Sequence, residues 1–315
     1  MDAGANSSAD QRTPGPKRRR RTRAWGLLAI APAAVAVAAA LGAGGDSDEA
    51  LPDSSQRLLA SDTAGMADPL PFWGALDCAE RSRHRRIATG GDPAPAGDGS
   101  PQGDAAFRRL TAVDGDDLWG ERCELGLNNA GGPVSFYREG ERLVTYASFR
   151  LPHDFPLGAK NWQGVLQMKQ AQPADNGGGT PVISLAAFQG QWLLFASDPG
   201  PTTVDRVIWR APAEKEVWTR FRIEALYSQD PERGWIEVRV DLDGDGDSGG
   251  EDESSPRIAL ATLKRETAGD PGDGLEQGDA IPSHLRVGIY HDERIACPAP
   301  AGCSVDVDNV QVLRP

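Results

Sequence analysis

Positive charge is scarce over most of this 315-residue chain: Lys and Arg number 33 against 46 Asp and Glu, a formal charge of −13. Residues 1–45 hold seven basic residues against two acidic ones, a balance of +5, which leaves −18 for the remainder. Nonspecific duplex binding draws its affinity from Lys and Arg that neutralise phosphates, so a body this acidic excludes nucleic acid as the expected partner. Histidine is rarer still, at four, and no Cys/His spacing matches a zinc site, so no transition metal is expected. Long helical apolar stripes are also few, which leaves little for an α-helical core. Apolar material itself is sufficient: 39% hydrophobic and 25% charged residues can bury a core, against wholesale disorder. The length allows one large all-β domain or two ordinary domains, and one is expected.

The N-terminus reads as an export address. Residues 17–23 (KRRRRTR) are a dense basic run, and residues 24–44 carry no charge and are dominated by Ala, Val and Leu. A positive segment, an apolar segment and the small residues Gly42, Ala43 and Gly44 follow the layout of a signal peptide. The alternative is an uncleaved anchor, since about 20 apolar residues just span a bilayer; that anchor would be the chain's one membrane contact. Its many Ala residues drive insertion weakly, so cleavage and secretion are expected. No Cys stands near the end of the apolar segment to carry a lipid. Residues 45–68 are small and polar and read as a linker to a domain over 69–315.

The four cysteines suit an oxidising compartment. Cys297 and Cys303 bracket a Pro-rich turn and are the natural local pair, which would leave Cys78 for Cys123. Four cysteines permit three connectivities, and sequence alone leaves them open.

Short runs of β-branched and aromatic residues recur between Gly, Pro and Asp clusters. They include 142–151 (RLVTYASFRL), 164–169 (GVLQMK), 181–187 (PVISLAA), 192–196 (WLLFA), 218–226 (WTRFRIEAL), 235–242 (WIEVRVDL), 284–290 (HLRVGIY) and 304–313 (SVDVDNVQVL). Many alternate with period two, so the fold expected is all-β, a large sandwich of two sheets. Residues 91–104, 174–180 and 243–256 are too rich in Gly, Asp and Pro for strands and read as loops.

Three segments place chemically specific groups at i and i+2. Arg122 and Glu124 share a face in ERCELG, Gln167 and Lys169 in VLQMKQ, and Arg286, Gly288 and Tyr290 in HLRVGIY. A polar face alone is the default for a half-buried strand. If the three strands share one sheet, their polar faces combine into a single groove.

The succession GERCELG, LPHDFP, WQGVLQMKQ, WTRF, GWIEVRVD, LRVGIY and VDVDNVQV, over roughly residues 105–315, resembles the heparin-lyase-I-like and glucuronan-lyase-like polysaccharide lyases. The resemblance implies a concanavalin-like β-jelly roll of two antiparallel sheets, one concave. It also implies β-elimination on a uronic-acid-containing polysaccharide, with an acidic polymer as partner; a monomer is expected. Elimination must first neutralise the uronate carboxylate and stabilise an enolate-like intermediate. Gln167 and Arg122 match that task, with Glu124 aligning the arginine. Tyr290 matches the family's tyrosine and would act as acid, or as both base and acid, with Arg286 holding its phenol partly ionised. These lyases often carry His two residues after the motif glutamine, where this chain has Lys169. A lysine base near neutrality costs about 4 kcal/mol in lost preference for the charged form, so Lys169 is expected as a carboxylate ligand or a substitute base. Trp162 and His284 are further expected substrate contacts, ahead of His153 and His291. The noncatalytic alternative is a carbohydrate-binding module that kept the groove and lost turnover.

No cofactor is required by this chemistry. Residues 241–252 (DLDGDGDSGGED) nearly fit a calcium loop, with Asp241, Asp243 and Asp245 at its first ligand positions. Position 12 is Asp252 instead of Glu and the preceding run is a strand, so an acidic hairpin is the simpler reading. Trp192, Trp209, Trp218 and Trp235 are expected in the core more than on sugar. No Glu-x-Asp-x-x-Glu pattern occurs, against a jelly-roll glucanase with paired carboxylates.

Overall fold

The computed structural model describes residues 57–62, 70–78, 82–88, 106–115, 120–127, 137–170, 180–197, 205–243, 248, 253–267, 274–298 and 302–315. The export segment 1–44 and the loop 91–104 lie outside the described residues, which all fall within the compact unit Glu49–Pro315.

Strands β1 (Arg57–Asp62), β2 (Ala75–Cys78), β3 (Arg83–Ala88), β4 (Ala106–Ala112), β5 (Glu121–Gly126) and β6 (Arg142–Arg150) come first. They are followed by β7 (Gln163–Gln170), β8 (Ile183–Phe188), β9 (Gln191–Ser197), β10 (Asp205–Pro212), β11 (Trp218–Leu226) and β12 (Trp235–Asp241). Three two-residue strands, β13 (Ile258–Ala259), β14 (Lys264–Arg265) and β15 (Ala280–Ile281), precede the long β16 (Ser283–His291) and β17 (Cys303–Arg314). The helix among the described residues is a single turn, α1 (Leu70–Trp73).

Two antiparallel sheets make a jelly-roll sandwich. One runs β13-β12-β11-β6-β17-β4-β3, with β1 also on β17; the other runs β10-β9-β8-β7-β16-β5-β2. Period-two alternation builds the core between them. In β11, Phe221, Ile223 and Ala225 are buried in the core, while Arg222 and Glu224 alternate with them and pair with each other. In β16, Leu285, Val287 and Ile289 do the same. Across the layers, Trp192 and Trp209 of one sheet meet Phe221 of the other, with ring centres 5.2 and 6.1 Å apart. Each such apolar side chain contributes about 1.5–3 kcal/mol on burial.

The segment read as linker contains β1, so the fold begins before residue 69. Its Ala60 and Asp62 are buried, and Asp62 accepts hydrogen bonds from Arg108 Nε at 2.7 Å and Nη2 at 3.0 Å and another from Trp73 Nε1. A buried pair of this kind needs both members, because either charge alone would be stranded without water. Strand β17 serves β4 with its first half and β1 with its second, and a bulge between Asp308 and Gln311 marks the change. Asn309 there takes φ 50°, a left-handed conformation that Asn tolerates better than most residues.

Candidate active site

Strands β7, β16, β5 and β2 are consecutive neighbours, so the three strands with polar faces do share one sheet. The register sets Arg122 opposite Tyr290 and Glu124 opposite Gly288. On the other side of β16, Gln167 stands opposite Arg286 and Lys169 opposite His284. Since directly paired residues point to the same face, Arg122, Glu124, Gln167, Lys169, His284, Arg286 and Tyr290 occupy one face.

Tyr290 is clamped on three sides. The Arg122 guanidinium carbon lies 3.8 Å from its ring centre, and Trp162 meets it edge-on with ring centres 4.7 Å apart. On the third side is Gly120, where a Cβ would stand 2.7 Å from the ring. The β16–β7 pairing shifts register between Val287 and Tyr290, which sets Tyr290 opposite the side-chain-free Gly164. Gly288 makes the shift at φ 146°, and a Cβ there would lie 2.3 Å from the Cys123 carbonyl oxygen. Only glycine fits that position.

Glu124 is the hub of the charges. It is 1% exposed, accepts a hydrogen bond from Gln167 Nε2, and faces Arg122 Nη1 at 3.4 Å and Arg286 Nη1 at 3.9 Å. Burial raises its carboxyl above the ordinary range, with the two arginines opposing that rise. Arg286 is turned to Asp77, to Glu124 and to His284, whose Nε2 accepts from Arg286 Nε at 2.9 Å. The expectation that Arg286 serves the Tyr290 phenol is therefore corrected: the cation over that ring is Arg122, four positions along the sheet from where Arg286 forms its pairs. His284 is pushed down to about 3, by burial first and then by Arg286 and Lys169, and is neutral at ordinary pH. It adjoins Lys169 and not Tyr290.

Asp77 carries no signal of its own in the sequence. Only the Cys78–Cys123 bridge locates it: with Cys78 opposite Cys123, antiparallel pairing sets Asp77 opposite Glu124. The second bridge joins Cys297 to Cys303. His153 is exposed beside Glu216, away from these strands, and His291 points to the opposite face from Tyr290 and is fully buried. Trp192 and Trp209 are core residues, while Trp218 and Trp235 lie under Arg150 and Arg257 in the other sheet.

In the acidic hairpin, Asp241 and Asp243 are joined by Glu253, with ligand atoms within 4.8 Å of one another. Glu253 is held there because its Oε1 accepts from Leu242 N at 3.1 Å. Asp245 and Asp252 lie outside the described residues.

A family model described as "Polysaccharide lyase" matches residues 97–299. Among solved structures, the chain is similar to endo-β-1,4-glucuronan lyase from the fungus Trichoderma reesei, with a TM-score of 0.54 and 15% identity over 83% of this chain and 95% of that one. It is also similar to alginate lyase vAL-1 from Chlorella virus, with a TM-score of 0.47 and 11% identity over 82% of this chain and all of that one. At 15% identity the likeness to the glucuronan lyase is one of fold. No curated protein matches the sequence.

Proposed function

Because the chain belongs to the polysaccharide lyase family, we propose that it cleaves a uronic-acid-containing polysaccharide by β-elimination, outside the cytoplasm. The observation that carries the reading is the stack of Arg122 on Tyr290 at 3.8 Å, with Gln167 and Lys169 on the same face. A cation over a phenol favours its ionised form, and the polar side chains next to it suit a sugar carboxylate.

In this reading Gln167, Lys169 and Arg122 bind the uronate carboxylate and lower the cost of the enolate-like intermediate. Tyr290, as phenolate, takes the proton from the carbon that bears the carboxylate. The electron pair forms the double bond to the neighbouring carbon as its bond to the glycosidic oxygen breaks. The phenol then returns the proton to the departing oxygen, so base and acid are one residue and protons balance. Glu124 positions both Gln167 and Arg122. Trp162 supplies an apolar wall beside the ring, and His284, being neutral, adds a polar contact next to Lys169 without adding charge.

Two carboxylates, Asp77 and Glu124, accompany three cations on this face, which fits a polymer with one carboxylate per sugar better than a densely sulfated one. The disulfides and the basic and apolar N-terminal runs support secretion. A calcium ion would belong to Asp241, Asp243 and Glu253, in the other sheet from the elimination site.

The test is incubation with glucuronan, alginate and heparin while following the ultraviolet absorbance of the unsaturated product. Turnover on an unsulfated uronan is expected. No absorbance change on any uronan would overturn the reading.

A further inference from the structure

The strand pair that carries Arg122 and Tyr290 has a second face. Its next register pair is Glu121 with His291, and both point away from the elimination site. His291 is fully buried and the Glu121 side chain is 9% exposed. Asp114, in the turn after β4, joins them, and the ligand atoms of the three residues all lie within 4.8 Å of one another.

His291 has acceptors against both of its ring nitrogens. Its Nε2 stands 3.3 Å from Sγ of Cys297, which is bridged to Cys303 and can only accept. A neutral imidazole carries one ring proton, so one of its two nitrogens presents a lone pair to an acceptor. Nδ1 faces two more acceptors, the Asp292 carbonyl oxygen at 3.2 Å and Glu121 Oε2 at 3.5 Å, and a cation held on Nδ1 would leave the ring proton to Nε2. Glu121 Oε1 takes the Gly115 N–H at 2.5 Å, but the buried Oε2 has no hydrogen-bond donor among the described residues. Asp114 brings a second carboxylate to the same point while its oxygens accept from Cys297 N at 3.2 and 3.1 Å.

We propose that Asp114, Glu121 and His291 bind a divalent transition-metal cation, zinc in the first instance. One imidazole nitrogen and two carboxylates make a three-residue zinc set, with the fourth position left to water or to the Asp292 carbonyl. Calcium, which takes six to eight oxygen ligands, is poorly served by so few. With the cation on Nδ1 the ring proton takes Nε2, against the disulfide sulfur at 3.3 Å, in the place of the outer partner that a ligating histidine has. The cation ties the turn after β4 and the loop after β16 to the back of the strand pair that holds Tyr290. His291 lies far from Asp114 and Glu121 in the chain, so no local ligand spacing announces the set.

The experiment uses the full chain, stripped with a chelator, reloaded with zinc chloride and dialysed against metal-free buffer. Metal content is read by mass spectrometry and Tm by calorimetry, both without substrate and so independently of the elimination chemistry. The wild type is expected to keep about one zinc per chain and to gain several degrees in Tm, as binding to the folded state requires. Asp114→Asn, at an exposed position, and Glu121→Gln should each bind zinc at least tenfold more weakly while their metal-free Tm stays near that of the metal-free wild type. Three results would overturn the proposal: no zinc retained by the wild type, equal retention by the variants, or calcium held in preference to zinc.

Discussion

Arg122 and Tyr290 face each other across β5 and β16, and the guanidinium carbon lies 3.8 Å from the centre of the phenol ring. Neither side chain is free to drift. Arg122 is tied to Glu124, and the ring is bounded by Trp162 and by the bare backbone of Gly120. The phenol proposed to exchange a proton with substrate is thus held in place beside a fixed positive charge.

Replacing that charge tests its effect on the phenol. Arg122→Met keeps an apolar stem and removes the cation, whose interaction with the ring is worth about 0.5–2 kcal/mol. Since a cation favours the phenolate, its loss should move the acid limb of the kcat/KM profile to higher pH and lower the rate at neutrality by roughly 2- to 30-fold for that term alone. An acid limb that stays in place would restrict Arg122 to binding the sugar carboxylate.

Gly288 tests the backbone geometry behind the site. Gly288→Ala places a methyl group against the Cys123 carbonyl at a φ of 146°. A loss of about 3 kcal/mol is expected, or roughly 6–12 °C in Tm for a domain of this size. Calorimetry of the variant reads it directly. An unchanged Tm would mean that the β16 bulge is not a fixed feature of the fold.

His284 should make stability depend on pH. Its folded value is pushed down to about 3, far below the ordinary histidine value of 6.5. Between these pH values the unfolded chain binds the proton and the folded chain does not, so stability is fully present above about 6.5 and is lost as pH falls toward 3. The raised carboxyl of Glu124 acts in the opposite sense, so the comparison must be with a variant. His284→Gln should show a smaller fall in Tm from pH 7 to pH 4.5 than the wild type. An identical fall in both would remove His284 from the account.

The two disulfides should differ in worth and in consequence. Cys78–Cys123 closes a separation of 45 residues and Cys297–Cys303 one of 6. On the chain-entropy estimate the first contributes about 4 kcal/mol and the second about 2. The first also pins β2, whose Asp77 holds Arg286. Replacing both cysteines of that bridge by serine should lower Tm more than the same change at Cys297 and Cys303, and should lower kcat/KM as well. Loss of stability with activity intact would show that Asp77 does not need the bridge.

Much of this site is legible in the sequence because a strand reports its two faces directly. Arg122 with Glu124, and Gln167 with Lys169, follow from period two, and Cys123, Leu125, Leu166 and Met168 are buried as the opposite face requires. Sequence does not reveal which strands are neighbours or how they are registered. That is why Arg286 looked like the partner of Tyr290 when the register gives the ring to Arg122 and turns Arg286 toward Asp77. The strand β1 escaped notice for a different reason: it lies within a largely small and polar stretch, and its place depends on Asp62 meeting Arg108, 46 positions away in the chain. The Asp114, Glu121 and His291 cluster is invisible for a related cause, since His291 reaches the other two only through its pairing with Glu121 across β5 and β16.

The central claim is that Tyr290 moves the proton in an elimination on a uronan. Its most direct test is the rate of unsaturated-product formation by Tyr290→Phe on the polymer that the wild type prefers, measured alongside oligosaccharide affinity. A fall in kcat of about 100-fold or more is predicted, with the fold and the affinity retained. A variant that turns over at the wild-type rate would contradict the account.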